Sequence, residues 1–489
     1  PEECHVLIAG QTGSGKSTLL RIIFSQVFML DKLRYAQRDK CYEKIICWIF
    51  TKAKDMRTLI DNEKDILVVN FNKIKLNPLE PPVDLRQIDW INIFADFFIQ
   101  AFRLYEGSKS LLIESLNNLY NQYSSLNYYP SLHDLYCYVK SLKFSATSRN
   151  IKYKESLLNR IGALIHSSLG SVFDCSRGHA KYLLDTHTIF EISYLTLEQQ
   201  IFIINYLLGY LFYSKFHKAE KRHFVAVDDA NLIFDASLEK RYDIGLPVIH
   251  HLLATVRKSK INIFACTQTP HQLGASIHSN ASIKIMFSLS NGKDIECMQK
   301  SMNIRDSEQK SYCGKLKPRE MIMKLSMRYQ EPFIAIVPET RVLNKSYDDE
   351  FIMKNNERIF TDFKIQERYK REPKEETKDK KLRAEECNLL MAINLYQYKL
   401  TLTQIARILG LSAYKSTRVF KRLERDGMIK IVKIVKGKGV SKYPFLLSEA
   451  YRLLNIPEKK FYGKGAGYEH VVWQHLIAEH FSEYKAVIE

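Results

Sequence analysis

Short, mostly apolar runs alternate along this chain with stretches whose apolar residues recur every three or four positions. The runs are Val6–Ala9, Ile45–Phe50, Ile66–Phe71, Thr188–Ile192, Phe224–Val227, Ile261–Cys266 and Ile283–Leu289. Runs of that length predict strands buried on both faces of a parallel or mixed sheet. Helical patterns between them make the fold class α/β. Residues 85–180 break the alternation. Ile91–Tyr105 and Leu111–Tyr123 carry Leu, Tyr and Phe at helical spacing, which predicts an all-helical subdomain inserted into the α/β domain. The aromatic stripes there read as core. Met321–Met327 and Phe333–Val337 predict a hairpin that closes the sheet.

Beyond it the pattern changes. Gln366–Arg383 is almost wholly charged and buries too little apolar surface to fold alone, so it reads as a linker or a lone solvated helix. Leu389–Leu395 predicts a helix, Thr401–Leu409 a second, and Gly410-Leu411 a tight turn. Ser412 is placed to cap a third helix, which runs to Asp426 and which Gly427 ends. Met428–Val435 and Tyr443–Leu447 read as strands around Gly437-Lys438-Gly439. This order is that of a small α+β winged-helix domain. Gly463–Glu489 adds a helix, Val471–Phe481, and a strand, Tyr484–Ile488, and reads as the start of a further, truncated domain.

The 489 residues are 46% hydrophobic and 26% charged, ordinary for a globular protein of about three domains. No run of about 18 apolar residues offers a membrane span. A chain that starts at Pro1 without Met is expected to be a fragment, and an N-terminal anchor ahead of it stays open. The net charge of +19 and pI near 9.3 favour a polyanionic partner, nucleic acid first and anionic membrane second. Nine scattered cysteines without a C-x-x-C pair argue against a zinc ribbon, an iron–sulfur centre and a disulfide scaffold. His470, His475 and His480 recur every five residues, which turns successive side chains by about 140° on a helix, so they do not form a metal site.

The chemistry concentrates in three motifs. The run Val6–Ala9 enters Gly10-x-x-x-x-Gly15-Lys16-Ser17, a P-loop. Its backbone N–H groups wrap a β-phosphate, Lys16 neutralises the β and γ oxygens, and the Ser17 hydroxyl ligates Mg²⁺. The nucleotide-binding set is therefore Gly10, Thr12, Gly13, Ser14, Gly15, Lys16, Ser17 and Thr18, with ATP and Mg²⁺ as ligands. Asp228, at the tip of Phe224–Val227, fits the carboxylate that holds the metal's water shell. Asp229 then stands where a Glu more often polarises the attacking water. Gln268, after Ile261–Cys266, is placed to sense a γ-phosphate or orient water.

His5–Ser17 (HVLIAGQTGSGKS), Lys75–Leu79 (KLNPL), Val227–Phe234 (VDDANLIF) and Arg257–Gln268 (RKSKINIFACTQ) together resemble the HerA–FtsK superfamily of P-loop motors, over about residues 4–340. The helical insert is most similar to that of conjugative coupling proteins and related HerA-like ATPases. The resemblance implies a RecA-like ATPase core in two parts, 1–84 and 181–340, around the insert 85–180. A linker, 341–383, a winged helix, 384–456, and a truncated domain, 457–489, would follow. It implies a homo-hexameric ring that moves DNA, duplex favoured, through a central channel, with no small-molecule substrate other than ATP. It makes Arg257 an arginine finger that reaches a neighbouring subunit's ATP. A membrane-anchored or secretion-channel partner is a further implication, with a cytoplasmic location at the inner membrane face if an anchor precedes the chain. Two features depart from the family: Asp229 replaces its usual Glu, and the membrane helices common ahead of the P-loop are absent here.

On the third helix of the winged-helix segment, Lys415, Arg418, Lys421, Arg422 and Arg425 avoid the apolar stripe, and the hairpin adds Lys433, Lys436, Lys438 and Lys442. A basic helix in a major groove and a basic wing on backbone or minor groove are expected. Three function classes stay open: an ATP-driven DNA translocase, an ATP-dependent switch or regulator that binds DNA statically, and a structural scaffold that uses ATP only for assembly, against which the intact set of Lys16, Asp228 and Asp229 argues. The helical insert between P-loop and Asp228 favours the first. The pathway stays open too, whether conjugation, end processing, segregation or defence, as does a nuclease-like fold that would begin in Gly465–Glu489.

Overall fold

A computed structural model describes residues 4–37, 43–71, 73–124, 126–145, 147–215, 221–239, 259–326, 328–339, 347–361, 363–367, 384–436, 439–454, 456–459 and 467–480. The chain divides into two compact units, 1–370 and 371–489. The strands are β1 (His5–Ala9), β2 (Ile45–Thr51), β3 (Ile66–Val69), β4 (Cys175–Arg177), β5 (His187–Glu191), β6 (Arg222–Val227), β7 (Ile261–Thr267), β8 (Ala281–Met286), β9 (Glu320–Leu325), β10 (Tyr329–Ile336), β11 (Gln366–Glu367), β12 (Ile429–Lys436) and β13 (Gly439–Leu446).

Nine of these form one sheet in the first unit, in the order β10-β9-β8-β1-β7-β6-β2-β5-β3. From β8 to β3 every pairing is parallel, and β9 and β10 extend it antiparallel at one edge. All seven apolar runs therefore became strands of one sheet. Alternation explains why: Leu7, Ala9, Trp48 and Phe50 enter the core on one face, while Val6, Ile8, Cys47 and Ile49 enter the core on the other. Strands apolar on both sides need helices on both sides. The helix Lys16–Ala36 covers the second face with Leu20, Phe24 and Phe28.

The helical insert covers the first face. Its helices Gln87–Phe102, Glu106–Tyr123, Leu132–Ser141 and Asn150–Ile165 share one continuous core with the sheet and with the helix Leu197–Lys215. Phe94, Phe98 and Phe102 all pack on Phe202. The insert is thus a layer of the first unit and not an independently cored body. Asn77, fully buried, ties it down: its amide donates to Pro130 O at 3.0 Å and Ser176 O at 2.7 Å, and its oxygen accepts from Leu79 N–H at 3.0 Å.

The expected linker needs correction. Within 341–383, the helix Asp349–Phe360 packs on β3, and β11 pairs with β4. The edge strand β3 would otherwise present unpaired backbone. Asn356 accepts from Val68 N–H at 3.1 Å and donates to Val68 O at 2.6 Å, and Asn355 donates to Ile66 O at 2.9 Å. Two amides thereby cap an edge that an apolar pattern could not reveal. The buried Arg57 holds Glu191 at 2.5 and 2.6 Å and Asp349 at 2.7 Å, fixing the start of that helix.

In the second unit, the helices Ala384–Tyr396, Leu402–Ile408 and Ala413–Arg425 surround Leu389, Ile393, Ile405, Phe420 and Leu423, and β12 pairs antiparallel with β13. Ser412 accepts from Lys415 N–H, and Gly427 takes a positive φ of 68° past the helix end. The expected start of a separate domain at 457–489 also needs correction: Val472 of the helix Tyr468–His480 is fully buried among Val432, Ile434, Tyr443 and Phe445 of the hairpin. The predicted strand Tyr484–Ile488 and the Gly437-Lys438 turn lie outside the described residues.

Candidate nucleotide site

In a parallel sheet the loops at the carboxyl ends of the strands converge, and a ligand cleft opens there. β1, β6 and β7 deliver three loops to one cavity of about 970 Å³. Thr12, Gly13, Gly15, Lys16, Ser17 and Thr18 line it from β1, Asp228 and Asp229 from β6, and Gln268 from β7. The strand order places β7 between β1 and β6, so Gln268 stands between the phosphate loop and the carboxylate.

The loop curls because Gly13 and Gly15 take φ of 77° and 115°, a region costly for any side chain. Gly15 leads directly into the helix Lys16–Ala36, which aims its free N–H groups into the cavity. Lys16 is 8% exposed and donates from Nζ to Gly10 O at 2.5 Å and Gln11 O at 2.9 Å. Burial holds its pKa below the usual lysine range, opposed by Cys266 and Asp228. Thr12 Oγ1 donates to Gln268 Oε1 at 3.0 Å, joining the two loops.

Burial, with Asp55 next, raises the Asp228 carboxyl; Lys16 pulls it back down. Thr51 Oγ1 lies 3.5 Å from Asp228 Oδ2. Asp55 Oδ1 is buried and finds no hydrogen-bond partner among the described residues, as is true of Ser14 Oγ in the loop. Orphaned oxygens beside a lysine and a carboxylate fit a hydrated cation with a polyphosphate. Ser17 and Asp228 would hold Mg²⁺, and the metal would neutralise charge on the β and γ oxygens.

Several groups here were not assigned a role from the sequence. Lys52 Nζ lies 2.7 Å from Asp229 Oδ2. Asn231 donates to Thr269 Oγ1 at 3.1 Å and accepts from Thr267 Oγ1 at 2.5 Å, locking the β6 loop to the β7 loop. Arg21, Asp55 and Arg319 also line the cavity. Lys52 and Asp55 follow the apolar run of β2, so a search of all strand ends for charged residues would have found them. Arg257 lies outside the described residues.

In the second unit, Lys415, Arg418 and Lys421 are exposed on one helix. Lys421, Lys433 and Lys442 line a groove of about 550 Å³ between that helix and the hairpin. Arg422 departs from the expected basic face: its guanidinium is paired with Glu386, which is 7% exposed, on the unit's first helix. The pairing spans 36 residues and leaves no local signal in the sequence. The side chain of Lys436, and Lys438 entirely, lie outside the described residues. Among the described residues no group of His, Cys, Asp and Glu is arranged to hold a metal on its own.

No family model matches the chain, and no curated protein is similar to it. Solved structures are. The genome-packaging NTPase B204 of Sulfolobus turreted icosahedral virus 2, in complex with AMPPCP, is 12% identical over 68% of this chain and 96% of that one, with a TM-score of 0.32. VirB4 of Thermoanaerobacter pseudethanolicus is 13% identical over 53% and 93%, with a TM-score of 0.37. The cytoplasmic domain of the Thermomonospora curvata type VII secretion ATPase EccC is 12% identical over 73% and 27%, with a TM-score of 0.24. Likenesses this slight carry no functional argument, which rests on the site itself.

Proposed function

We propose that this chain is an ATPase motor that couples hydrolysis of Mg²⁺–ATP to movement of DNA. The observation that carries the reading is the convergence of Lys16, Asp228 and Gln268 on one cavity, with β7 between the strands of the other two. In that arrangement Lys16 and the loop N–H groups hold the phosphates, Asp228 and Ser17 hold the metal, and Gln268 and Asp229 orient the attacking water. Phosphoryl transfer needs positioning and charge stabilisation more than covalent chemistry, and these residues supply both.

The basic groove of the second unit is the DNA contact in this reading, with duplex favoured. A homo-hexameric ring, Arg257 acting in trans, and a membrane-anchored or secretion-channel partner belong to the same proposal. No helix among the described residues is long and apolar enough to cross a membrane. The Lys52–Asp229 pair favours a second reading, an ATP-dependent switch with slow turnover, because it engages the acid that would polarise water. Phosphate release measured with and without duplex DNA, together with displacement of a triplex strand from that duplex, separates the two. DNA-stimulated turnover with displacement supports the motor; nucleotide-dependent DNA binding without displacement supports the switch.

A further inference from the structure

The turn Lys317-Pro318-Arg319-Glu320 enters β9 beside the phosphate loop. Glu320 N–H donates to Lys317 O at 3.0 Å, closing a β-turn with proline second and Arg319 third. Arg319 has a φ of 72°. The third position of such a turn is where glycine is the default, because a Cβ is strained there. An arginine at that point is strained, and strain of this kind clusters at functional sites.

The strained residue is tied to the nucleotide loop by its backbone. Arg319 N–H donates to Ser14 O at 3.0 Å, and Arg319 O accepts from Val337 N–H at 2.9 Å. A Cβ built on Gly15 would meet Arg319 Cα at 3.6 Å. The backbone is thus held against the loop, and Arg319 lines the same cavity as Lys16, Ser17 and Asp228. Its only ion pair among the described residues is to Glu339, at 2.6 Å, and Glu339 is 88% exposed. An exposed partner of that kind is held by little and is readily exchanged.

We propose that Arg319 is a phosphate-binding arginine acting within its own subunit, and that Glu339 is the counter-ion it leaves when the polyphosphate enters. The turn places the guanidinium at the cavity; the surface carboxylate keeps it ordered before the ligand arrives. The assignment rests on the nucleotide reading of the P-loop cavity and adds to it a cation, in cis, outside the P-loop motif.

The test is equilibrium binding of Mg²⁺–ATP and of inorganic tripolyphosphate to the full chain, with melting temperatures measured alongside. Arg319→Gly removes the guanidinium and relieves the backbone, so the variant melts at or above the wild-type temperature. It binds both ligands about tenfold or more weakly, the size of a lost hydrogen-bonded charge. Glu339→Gln removes the competitor and binds both about two- to fivefold more tightly. Unchanged affinity of Arg319→Gly for both ligands overturns the assignment. So does a loss confined to ATP, which would put Arg319 on the nucleoside. Absence of ATP binding by the wild-type chain itself would overturn the nucleotide reading, and this inference with it.

Discussion

Lys52 Nζ and Asp229 Oδ2 are 2.7 Å apart at the mouth of the nucleotide cavity, each side chain a little over two-fifths exposed. The pair joins the loop after β2 to the loop after β6. It therefore sets where the carboxylate proposed to polarise water points. An exposed pair is worth little in stability, so its consequence is for turnover. Lys52→Met is expected to raise basal phosphate release several-fold without changing ATP affinity. Asp229→Asn is expected to bind ATP normally and turn over about 10²–10⁴-fold more slowly, the usual contribution of a general base. Full activity of Asp229→Asn would pass the role to Asp55, which lines the same cavity and whose buried Oδ1 finds no hydrogen-bond partner among the described residues.

Among the described cations that line the cavity, Lys16 is the most buried. It is nearly buried, and its ammonium is held by two loop carbonyls. In the proposed function a triphosphate would take over those bonds and offset the cost of burying the charge. Lys16→Ala is expected to lose ATP binding by about 10²-fold or more, since it removes several charge-assisted bonds at once. Calorimetric titration of ATP checks it, and wild-type affinity in that variant would remove the P-loop from the mechanism.

The strands and the phosphate loop were legible because both are local. Each buried strand is an apolar run, and Gly10–Ser17 is a contiguous motif. Asp228 and Gln268 were legible as charged or polar residues closing such runs. What escaped is held by pairings distant in sequence. Asn356 caps β3 from 288 residues away, so a polar helix with few apolar positions read as linker. Arg422 turns to Glu386, so a basic helix face appeared one charge richer than it is. Arg319 escaped for another reason: its role depends on a backbone angle, and a sequence does not display φ.

Glu80 makes stability depend on pH. It is 6% exposed and accepts from Gly178 N–H at 2.8 Å. Burial pushes its carboxyl up to about 7 from an ordinary 4.5, with that hydrogen bond, Arg177 and Lys181 opposing. The folded form thus prefers the protonated acid. Its contribution is fully present below pH 4.5 and is lost as pH rises through 7. Glu80→Gln stays neutral and keeps an acceptor for Gly178. Wild type is expected to lose up to about 3 kcal/mol relative to this variant between pH 5 and pH 8. Melting curves of both across that range test it; parallel curves would mean that Glu80 titrates as an ordinary carboxylate.

The basic groove of the second unit offers the most discriminating test of the DNA proposal. Lys433 and Lys442 are directly opposite each other on β12 and β13, and like charges so placed repel. Both line the groove with Lys421. A polyanion in the groove would relieve that repulsion, and each phosphate contact contributes about 0.9 to the slope of log affinity against log salt. Replacing Lys421, Lys433 and Lys442 with Gln is expected to weaken duplex binding at low salt and to flatten that slope by about 2 to 3. The same triple variant should melt no lower than wild type, because the cross-strand repulsion is gone. Arg422→Ala should behave in the opposite way. It takes the guanidinium away from the buried Glu386, so the fold is expected to lose about 1–2 kcal/mol, while the salt slope stays close to wild type. If Arg422→Ala flattens the slope and the triple lysine variant does not, the DNA would lie along the first helix and not in the groove.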